Sequence, residues 1–175
     1  MSDTTTRYAE SLLAAARAEG NADQVVGELF EFGRVLETND QLREALSDPS
    51  TPIVNRMQAV DDLLAGQASR VTSSLIAMVV GVGRGGQLGE IIRATVELNA
   101  ASRDQRVAYV RSAIDLDADQ QQRLAAALRE STGDDVEVRV ILDPSVLGGL
   151  VTEIGDDVID GSVRRRLNQM RESLS

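Results

Sequence analysis

The chain has 175 residues, of which 42% are hydrophobic and 26% are charged, so we expect a packed core rather than wholesale disorder. Its net charge of −10 disfavours binding to nucleic-acid phosphates and to anionic lipid headgroups. Cysteine and histidine are absent, which removes disulfides, thiolate nucleophiles, the common metal ligands and the usual general base. We therefore predict no catalytic residue, no cofactor and no metal site, while a site built from carboxylates alone stays open.

The first hundred residues show the apolar periodicity of helices that bury one face. The apolar residues fall into six segments: Tyr8, Leu12 and Ala16; Val25, Leu29, Phe32 and Leu36; Leu42 and Leu46; Ile53, Met57, Val60 and Leu64; Val71, Leu75, Met78 and Val82; Leu88, Ile91, Ile92 and Val96. Gly20 follows the first segment as a helix stop, Thr51 is placed to cap the fourth helix, and Pro52 suits a first helical position. The pattern predicts six helices.

The fifth segment is apolar on nearly all sides, because Ile76, Val79 and Val80 add to its stripe. We predict that this helix lies at the centre of a bundle. The glycine-rich residues 81–86 follow it, where a phosphate-binding loop would need a preceding strand or a Gly-Lys-Ser/Thr ending. A helix end and a tight turn are therefore favoured over a nucleotide site.

After about residue 104 the pattern changes to that of a mixed domain. Residues 107–116 are rich in strand formers, residues 119–131 read as a helix, and residues 136–142 alternate between apolar and polar side chains. The predicted inward residues are Ala108, Val110, Ile114 and Leu116 in the first strand and Val163, Leu167, Met170 and Leu174 in a terminal helix. The sequence thus predicts a strand, a helix, a second strand and a last helix.

These patterns predict a mainly α fold class with two domains. Residues 1–104 form an N-terminal six-helix bundle, and residues 105–175 form a small α+β C-terminal domain. The longest apolar run, residues 75–82, is far too short to span a bilayer, and the first residues do not resemble a signal peptide. We expect any membrane attachment to be indirect, and we expect no further domain.

The tail, residues 143–163, combines glycines, aliphatic residues and acids at tight spacing. For Gly148 and Gly149 we predict a positive φ or a close backbone approach in a tight connection. The neighbouring acids are predicted to be solvated. The three arginines of residues 164–166 either neutralise nearby acids or pair with acids on a partner, and the sequence leaves both readings open.

The tail, with Arg166 and Leu167, resembles the signature of the ATP synthase delta subunit family, whose mitochondrial relatives are the oligomycin-sensitivity-conferring proteins. The opening residues 7–12 are similar to that family's first helix. Gly83 and Arg84, with the apolar residues that follow, resemble its junction between the fifth and sixth helices. The likeness spans the whole chain in order, and the tail is its specific part.

The resemblance implies a non-catalytic stator in the peripheral stalk of a rotary F-type ATP synthase, linking the catalytic head to the membrane sector during proton-driven ATP synthesis. It implies that the N-terminal bundle binds the alpha subunit's N-terminus and that the C-terminal domain binds the C-terminal ends of the b subunits. The implied location is the cytoplasmic face of a bacterial cell membrane, as a peripheral component.

The resemblance also assigns residues to these two sides. On the alpha side they are Tyr8, Ala9, Leu12, Val79 and Arg84, and in the tail motif on the b side they are Gly148, Gly149, Gly155, Asp160, Ser162, Arg166 and Leu167. Two other classes stay open: a generic helical scaffold or adaptor in an unrelated assembly, and a small enzyme that uses only carboxylates and arginines. Acids converging in a pocket would favour the enzyme.

Overall fold

The computed structural model describes residues 2–162. They are mostly helical, with seven α-helices, one short 3-10 helix and a four-stranded mixed sheet. The elements are α1 Asp3–Ala18, α2 Ala22–Thr38, α3 Asp40–Ser47, α4 Ile53–Leu64, α5 Arg70–Gly81, the 3-10 helix Gly85–Gln87, α6 Leu88–Ala101, β1 Arg106–Ser112, α7 Ala118–Thr132, β2 Val136–Leu142, β3 Leu150–Ile154 and β4 Asp157–Asp160. The predicted combination of a mainly helical chain with a small sheet is confirmed. The chain divides into two compact units, Met1–Asn99 and Ala100–Ser175.

The first unit is held together by one aliphatic core to which all six of its helices contribute. The buried side chains are Leu12, Ala16, Val25, Leu29, Phe32, Leu36, Leu46, Val60, Leu64, Leu75, Ile76, Ala77, Val79, Val80, Leu88, Ile91 and Ile92. Each fully buried aliphatic side chain of this kind stabilises the fold by roughly 1.5–3 kcal/mol. The helical stripes seen in the sequence therefore supply the main driving force for this unit.

Two details of the predicted stripes are wrong. Met78 and Val82 are 43% and 54% exposed, because α5 buries the face carrying Ile76, Val79 and Val80 instead. A helix that is apolar on most sides offers two stripes, and packing against its neighbours selects one. Ile53 is also exposed, because it is the first residue of α4.

The predicted cap of α4 is wrong as well. Pro52 precedes the helix, and no side chain caps its start. Other helices have side-chain caps. The Ser2 hydroxyl caps α1 by accepting a 3.1 Å bond from the Thr5 amide, and the Asn39 side chain caps α3 by accepting a 3.0 Å bond from the Leu42 amide. Helix starts without such a cap leave more amides for water to satisfy.

The start of α5 is held by a carboxylate from another helix. Glu28 of α2 accepts hydrogen bonds from the Ser69 amide and hydroxyl, at 2.9 and 2.7 Å, and from the Thr72 hydroxyl. Gln24 donates to the other carboxylate oxygen at 2.9 Å. Partial burial raises the pKa of Glu28, but the bonds from Thr72, Gln24 and Ser69 outweigh it and lower the pKa to about 2. The positive end of the α5 helix dipole also stabilises the negative charge of Glu28 at this position.

Replacing Glu28 by Gln should reduce the free energy of unfolding at pH 7 by about 1–2 kcal/mol, since a charged acceptor for several donors is lost. The folded pKa of about 2 lies below the ordinary value of 4.5. The greater free energy of unfolding of wild type over Glu28→Gln is therefore present above pH 4.5 and is lost as the pH falls towards 2. Urea unfolding followed by circular dichroism at pH 7 and near pH 2 measures both effects. Glu31→Gln, which loses only an exposed pair with Arg34, is the control. Equal losses in both variants would contradict the assignment.

The 3-10 helix approaches the end of α3 closely. A Cβ added at Gly85 would lie 2.1 Å from the Leu46 carbonyl oxygen, so no side chain fits there. Gly86 has ordinary room, since its Cβ would meet the Ser47 Cβ at 3.5 Å. The buried side chain of Arg56 also reaches this region, donating from Nη1 to the Leu46 carbonyl at 3.4 Å. The predicted helix end and turn in residues 81–86 is confirmed, and steric contact explains one of its glycines.

Gly85→Ala should lower the free energy of unfolding by roughly 1–3 kcal/mol, because the added methyl group forces α3 and the 3-10 helix apart. Gly86→Ala should leave stability within about 0.5 kcal/mol of wild type. Thermal or urea unfolding of the two variants side by side gives the comparison. A Gly85→Ala protein as stable as Gly86→Ala would show that the close approach is absent.

The second unit is built on a sheet of order β2-β1-β3-β4. β1 is parallel to β2, with Ala108 opposite Val138, and antiparallel to β3, with Ala108 opposite Ile154. α7 connects β1 to β2 and packs Leu128 onto a core with Ala108, Val136 and Ile154. A reciprocal capping box between Asp117 and Gln120 starts α7. The helix ends at Gly133, which has a φ of 81°.

The sequence pattern missed part of this sheet. β1 ends at Ser112, so Ile114, predicted to face inward, is 67% exposed, and Leu116 lies in the loop before α7. The tail, predicted only as a tight connection, contains the hairpin of β3 and β4. The predicted terminal helix from Val163 onwards lies outside the described residues.

The end of α6 leads into β1 through a compact turn. The Asp104 amide donates to the Ala101 carbonyl at 3.1 Å, and the Gln105 amide donates to the Ala100 carbonyl at 3.1 Å. These bonds form a Schellman motif, in which the residue at Asp104 takes a left-handed conformation with a φ of 56°. Among residues 2–162, Asp104 is the non-glycine residue with positive φ. Asp tolerates this conformation better than most residues.

Candidate functional site

Two features of the described residues bear on the choice of candidate site. Within residues 2–162, no group of three or more acidic side chains is placed to hold a metal ion. In the same residues, no single helix is long and apolar enough to cross a membrane; α5 and α6 pass the length and composition test only as a pair bent by 120°. The candidate sites are therefore taken from the residues that the family resemblance singled out.

Two of the predicted alpha-side residues come together. Arg84, just after α5, places its guanidinium carbon 5.9 Å from the centroid of the Tyr8 ring on α1. The Arg84 Nη1 donates to the Gln87 side chain at 2.9 Å, and the Arg84 amide donates to the Val79 carbonyl at 3.0 Å. This distance is within the range of a cation–π contact between the guanidinium and the ring.

Arg84 keeps a charge that no nearby acid neutralises. Among the described residues, no carboxylate lies within ion-pair distance of its guanidinium, whereas Arg7 and Arg34 pair with Asp3 and Glu31 on their own helices. Both Tyr8 and Arg84 are half-buried. A half-buried cation without a carboxylate, held by an aromatic ring, is a suitable docking point for an anion.

The other predicted alpha-side residues lie in the core. Ala9, Leu12 and Val79 are fully buried, and Leu12 and Val79 belong to the aliphatic cluster of the first unit. Their role in binding stays a prediction. Because they are buried, their side chains pack within the first unit. Sequence periodicity could not separate these inward residues from outward ones, because both α1 and α5 carry apolar residues on more than one side.

The exposed apolar residues at the C-terminal end of α5, one of them just after the helix, were missed as candidates. Met78 and Val82 are separated by one helical turn on the same face, and Arg84 follows Val82 by two residues. The second stripe of Ile76, Val79 and Val80 was the sequence signal that could have identified them, since burying that stripe turns Met78 and Val82 outwards. They add exposed apolar surface close in sequence to Arg84.

In the second unit, the predicted glycines shape the tail. Gly148 and Gly149 have φ of 62° and 87°, as predicted for a tight connection. A Cβ at Gly149 would lie 2.4 Å from the Gly161 carbonyl oxygen, so the two chain segments touch backbone to backbone. Gly155, with a φ of 58°, turns β3 into β4 beneath the Arg106 side chain. These residues specify the fold.

The remaining tail residues lie in local turns. The Asp160 carboxylate accepts a 2.9 Å bond from the Ser162 amide, and Ser162 is buried. Asp143 makes a similar turn: the Ser145 hydroxyl and amide lower the pKa of its carboxyl, against partial burial and with help from Arg111. Arg166 and Leu167 lie outside the described residues.

An apolar pocket opens beside the predicted glycines. It has a volume of about 610 Å³ and lies where β1 ends, between the first half of α7 and the start of β3. Among residues 2–162, it is lined by Ser112, Ala113, Ile114, Leu116, Gln120, Arg123, Leu124, Gly148, Gly149 and Leu150. The structure thus brings Gly148 and Gly149 together with Ile114, which sequence analysis had placed in the core.

The sequence matches the family model "ATP synthase delta (OSCP) subunit" over residues 4–174. It is 45% identical to the ATP synthase subunit delta of Nocardia farcinica over 166 residues, covering 95% of this chain and 61% of that protein. It is 42% identical to the ATP synthase subunit delta of Salinispora tropica, covering 94% of this chain and 60% of that protein. The chain therefore spans about 60% of the length of these relatives.

The fold is also found in a solved structure. A chain of the Toxoplasma gondii mitochondrial ATP synthase hexamer is similar with a TM-score of 0.61 and 18% sequence identity, covering 99% of this chain and 98% of that chain. At this identity the likeness concerns the fold. The family model and the sequence relatives establish the membership, and they agree with the resemblance of the tail and of the opening helix: the chain belongs to the family of ATP synthase delta (OSCP) subunits.

Proposed function

We propose that this protein is a non-catalytic stator subunit in the peripheral stalk of an F-type ATP synthase, linking the catalytic head to the membrane sector during proton-driven synthesis. The family membership supports this role. Chemically, the described residues provide two separate kinds of binding surface and no cluster of acids able to hold a metal. A stator resists torque through its contacts and makes no covalent bond, so it needs these features and no reactive group.

The first unit is proposed to act as a six-helix bundle, residues 1–104, that binds the N-terminal segment of the alpha subunit. The observation that carries this proposal is the stacked pair of Tyr8 and Arg84 at one side of the unit. The exposed Met78 and Val82 supply apolar surface on the adjoining helix. An amphipathic helix with apolar residues at spacings of three and four and one acid would match both features.

The second unit, residues 105–175, is proposed to bind the C-terminal ends of the b subunits. Its tail glycines fix the β3–β4 hairpin, and its exposed apolar residues leave surface for a partner. The chain's net charge of −10 opposes direct adsorption to anionic lipid, so membrane attachment is proposed to be indirect, through the assembled complex at the cytoplasmic face.

Tyr8→Asp should weaken binding of a synthetic peptide from the N-terminus of the alpha subunit encoded in the same genome. The substitution places a negative charge on the ring position that holds Arg84, and we expect an affinity at least about tenfold lower, equivalent to about 1.4 kcal/mol. Arg84→Glu should have a similar effect. Titration calorimetry on the 175-residue chain measures both, with circular dichroism as the check on folding.

Arg70→Glu is the matched control, because Arg70 is an exposed arginine at the other end of α5. It reverses the same charge on the same helix and should leave the peptide affinity within about twofold, since a distant exposed charge is largely screened. Folded Tyr8→Asp and Arg84→Glu proteins that bind the peptide as tightly as wild type would overturn the assignment of this surface.

A further inference from the structure

Arg56, in the first turn of α4, is a buried cation without an acidic partner. Only 6% of its surface is exposed, and among residues 2–162 no carboxylate lies within ion-pair distance of its guanidinium. A buried charge is costly unless hydrogen bonds compensate it. The bonds that Arg56 makes therefore show which parts of the first unit it holds together.

Two main-chain carbonyls compensate this charge. The Arg56 Nε donates to the Thr51 carbonyl at 3.1 Å in the linker before α4, and Nη1 donates to the Leu46 carbonyl at 3.4 Å in the last turn of α3. The carboxylate of Asp48, in the same linker, accepts from the Ser50 hydroxyl at 2.7 Å instead. Carbonyls in the last turn of a helix lack partners within the helix, and a cation stabilises them. Arg56 thus caps the end of α3 from α4.

The same Leu46 carbonyl supports the 3-10 helix. Gly85 packs its backbone against that oxygen so closely that a Cβ there would lie 2.1 Å from it. Arg84 directly precedes Gly85, and its carbonyl accepts a 2.9 Å bond from the Gln87 amide at the end of the 3-10 helix. A shift of the end of α3 therefore displaces the main chain from which the Arg84 side chain extends. One series of contacts runs from Arg56 to Arg84.

We propose that Arg56 is a positioning residue for the surface formed by Tyr8 and Arg84. By holding the Leu46 carbonyl, it keeps the 3-10 helix, and with it the Arg84 guanidinium, in the place where the cation contacts the Tyr8 ring. Because Arg56 is buried, it acts through Arg84 rather than on a partner. The consequence for binding rests on the proposed function, whereas the position of Arg84 can be measured without a partner.

The first test measures that position by NMR of the arginine Nε–H groups in the 175-residue chain. Tyr8→Leu gives the Arg84 signal without the ring current of tyrosine. Arg56→Met keeps the apolar stem and removes both donors, and we expect it to move the Arg84 signal most of the way to its Tyr8→Leu position. Arg43→Met is the matched control, because exposed Arg43 donates to another main-chain carbonyl, that of Leu36, at 3.0 Å. It should leave the Arg84 signal in place.

The second test is a double-mutant cycle on peptide affinity. Titration calorimetry with the peptide from the alpha subunit's N-terminus compares Arg56→Met in the wild-type chain and in Arg84→Ala. We expect an affinity loss of about fivefold in the wild-type chain and of less than about twofold in Arg84→Ala, where the group that Arg56 positions is already gone. Equal losses in both chains, or reduced stability with unchanged affinity, would mean a merely structural role and would overturn the inference.

Arg56→Lys keeps the inference testable if Arg56→Met does not fold. Lysine retains the charge but replaces the planar fork of donors by a single ammonium group, so we expect an intermediate displacement of the Arg84 signal and an intermediate affinity loss. An Arg84 signal at its wild-type position in folded Arg56→Lys and Arg56→Met proteins would also overturn the inference. A wild-type chain that does not bind the peptide, although Arg56→Met still displaces the Arg84 signal, would overturn the proposed function and support the positioning role.

Discussion

The burial of one aliphatic face of α5 sets the arrangement of the whole first unit. Ile76, Val79 and Val80 are fully buried, and this choice of face decides that Met78 and Val82 point outwards. The rotation is fixed at the helix start by the Glu28 carboxylate, which holds Ser69 and Thr72. A non-directional hydrophobic contact and a directional charged hydrogen bond thus act on the same element, and the surface beside Arg84 follows from both.

In the second unit the corresponding constraint is the approach of backbone to backbone. The Gly161 amide donates to the Leu150 carbonyl at 2.9 Å, and Gly149 lies against Gly161 with no room for a side chain. This contact holds together the open end of the hairpin of β3 and β4, one residue beyond the pair Val151 and Asp160. Gly148 and Gly149 also line the apolar pocket, so the same glycines contribute to the fold and to the surface beside it.

Much of this could be predicted from the sequence, for reasons that particular residues make clear. The helices were predictable because their apolar residues recur at helical spacing, and the glycine turn after α5 was predictable because a helix cannot continue through it. Which face of α5 is buried could not be predicted, because an almost uniformly apolar helix carries no sequence signal for its orientation. β3 was missed because Leu150–Ile154 is short and follows two glycines, and its pairing depends on β1, more than 35 positions earlier. The open pocket was missed because Ile114 continues the strand pattern beyond the point where the backbone leaves the sheet.

The lowered pKa of Glu28 determines how the start of α5 responds to changes in pH. Histidine is the side chain that ordinarily titrates between pH 5 and 8, and the sequence has none. The hydrogen bonds at the start of α5 move Glu28 further below that range, to about 2. Because Glu28 stays ionised well below neutrality, the hydrogen bonds that it accepts at the start of α5 persist when the local proton concentration rises or falls. The packing of α5 against α2 is therefore insulated from changes in acidity that would protonate an ordinary carboxylate.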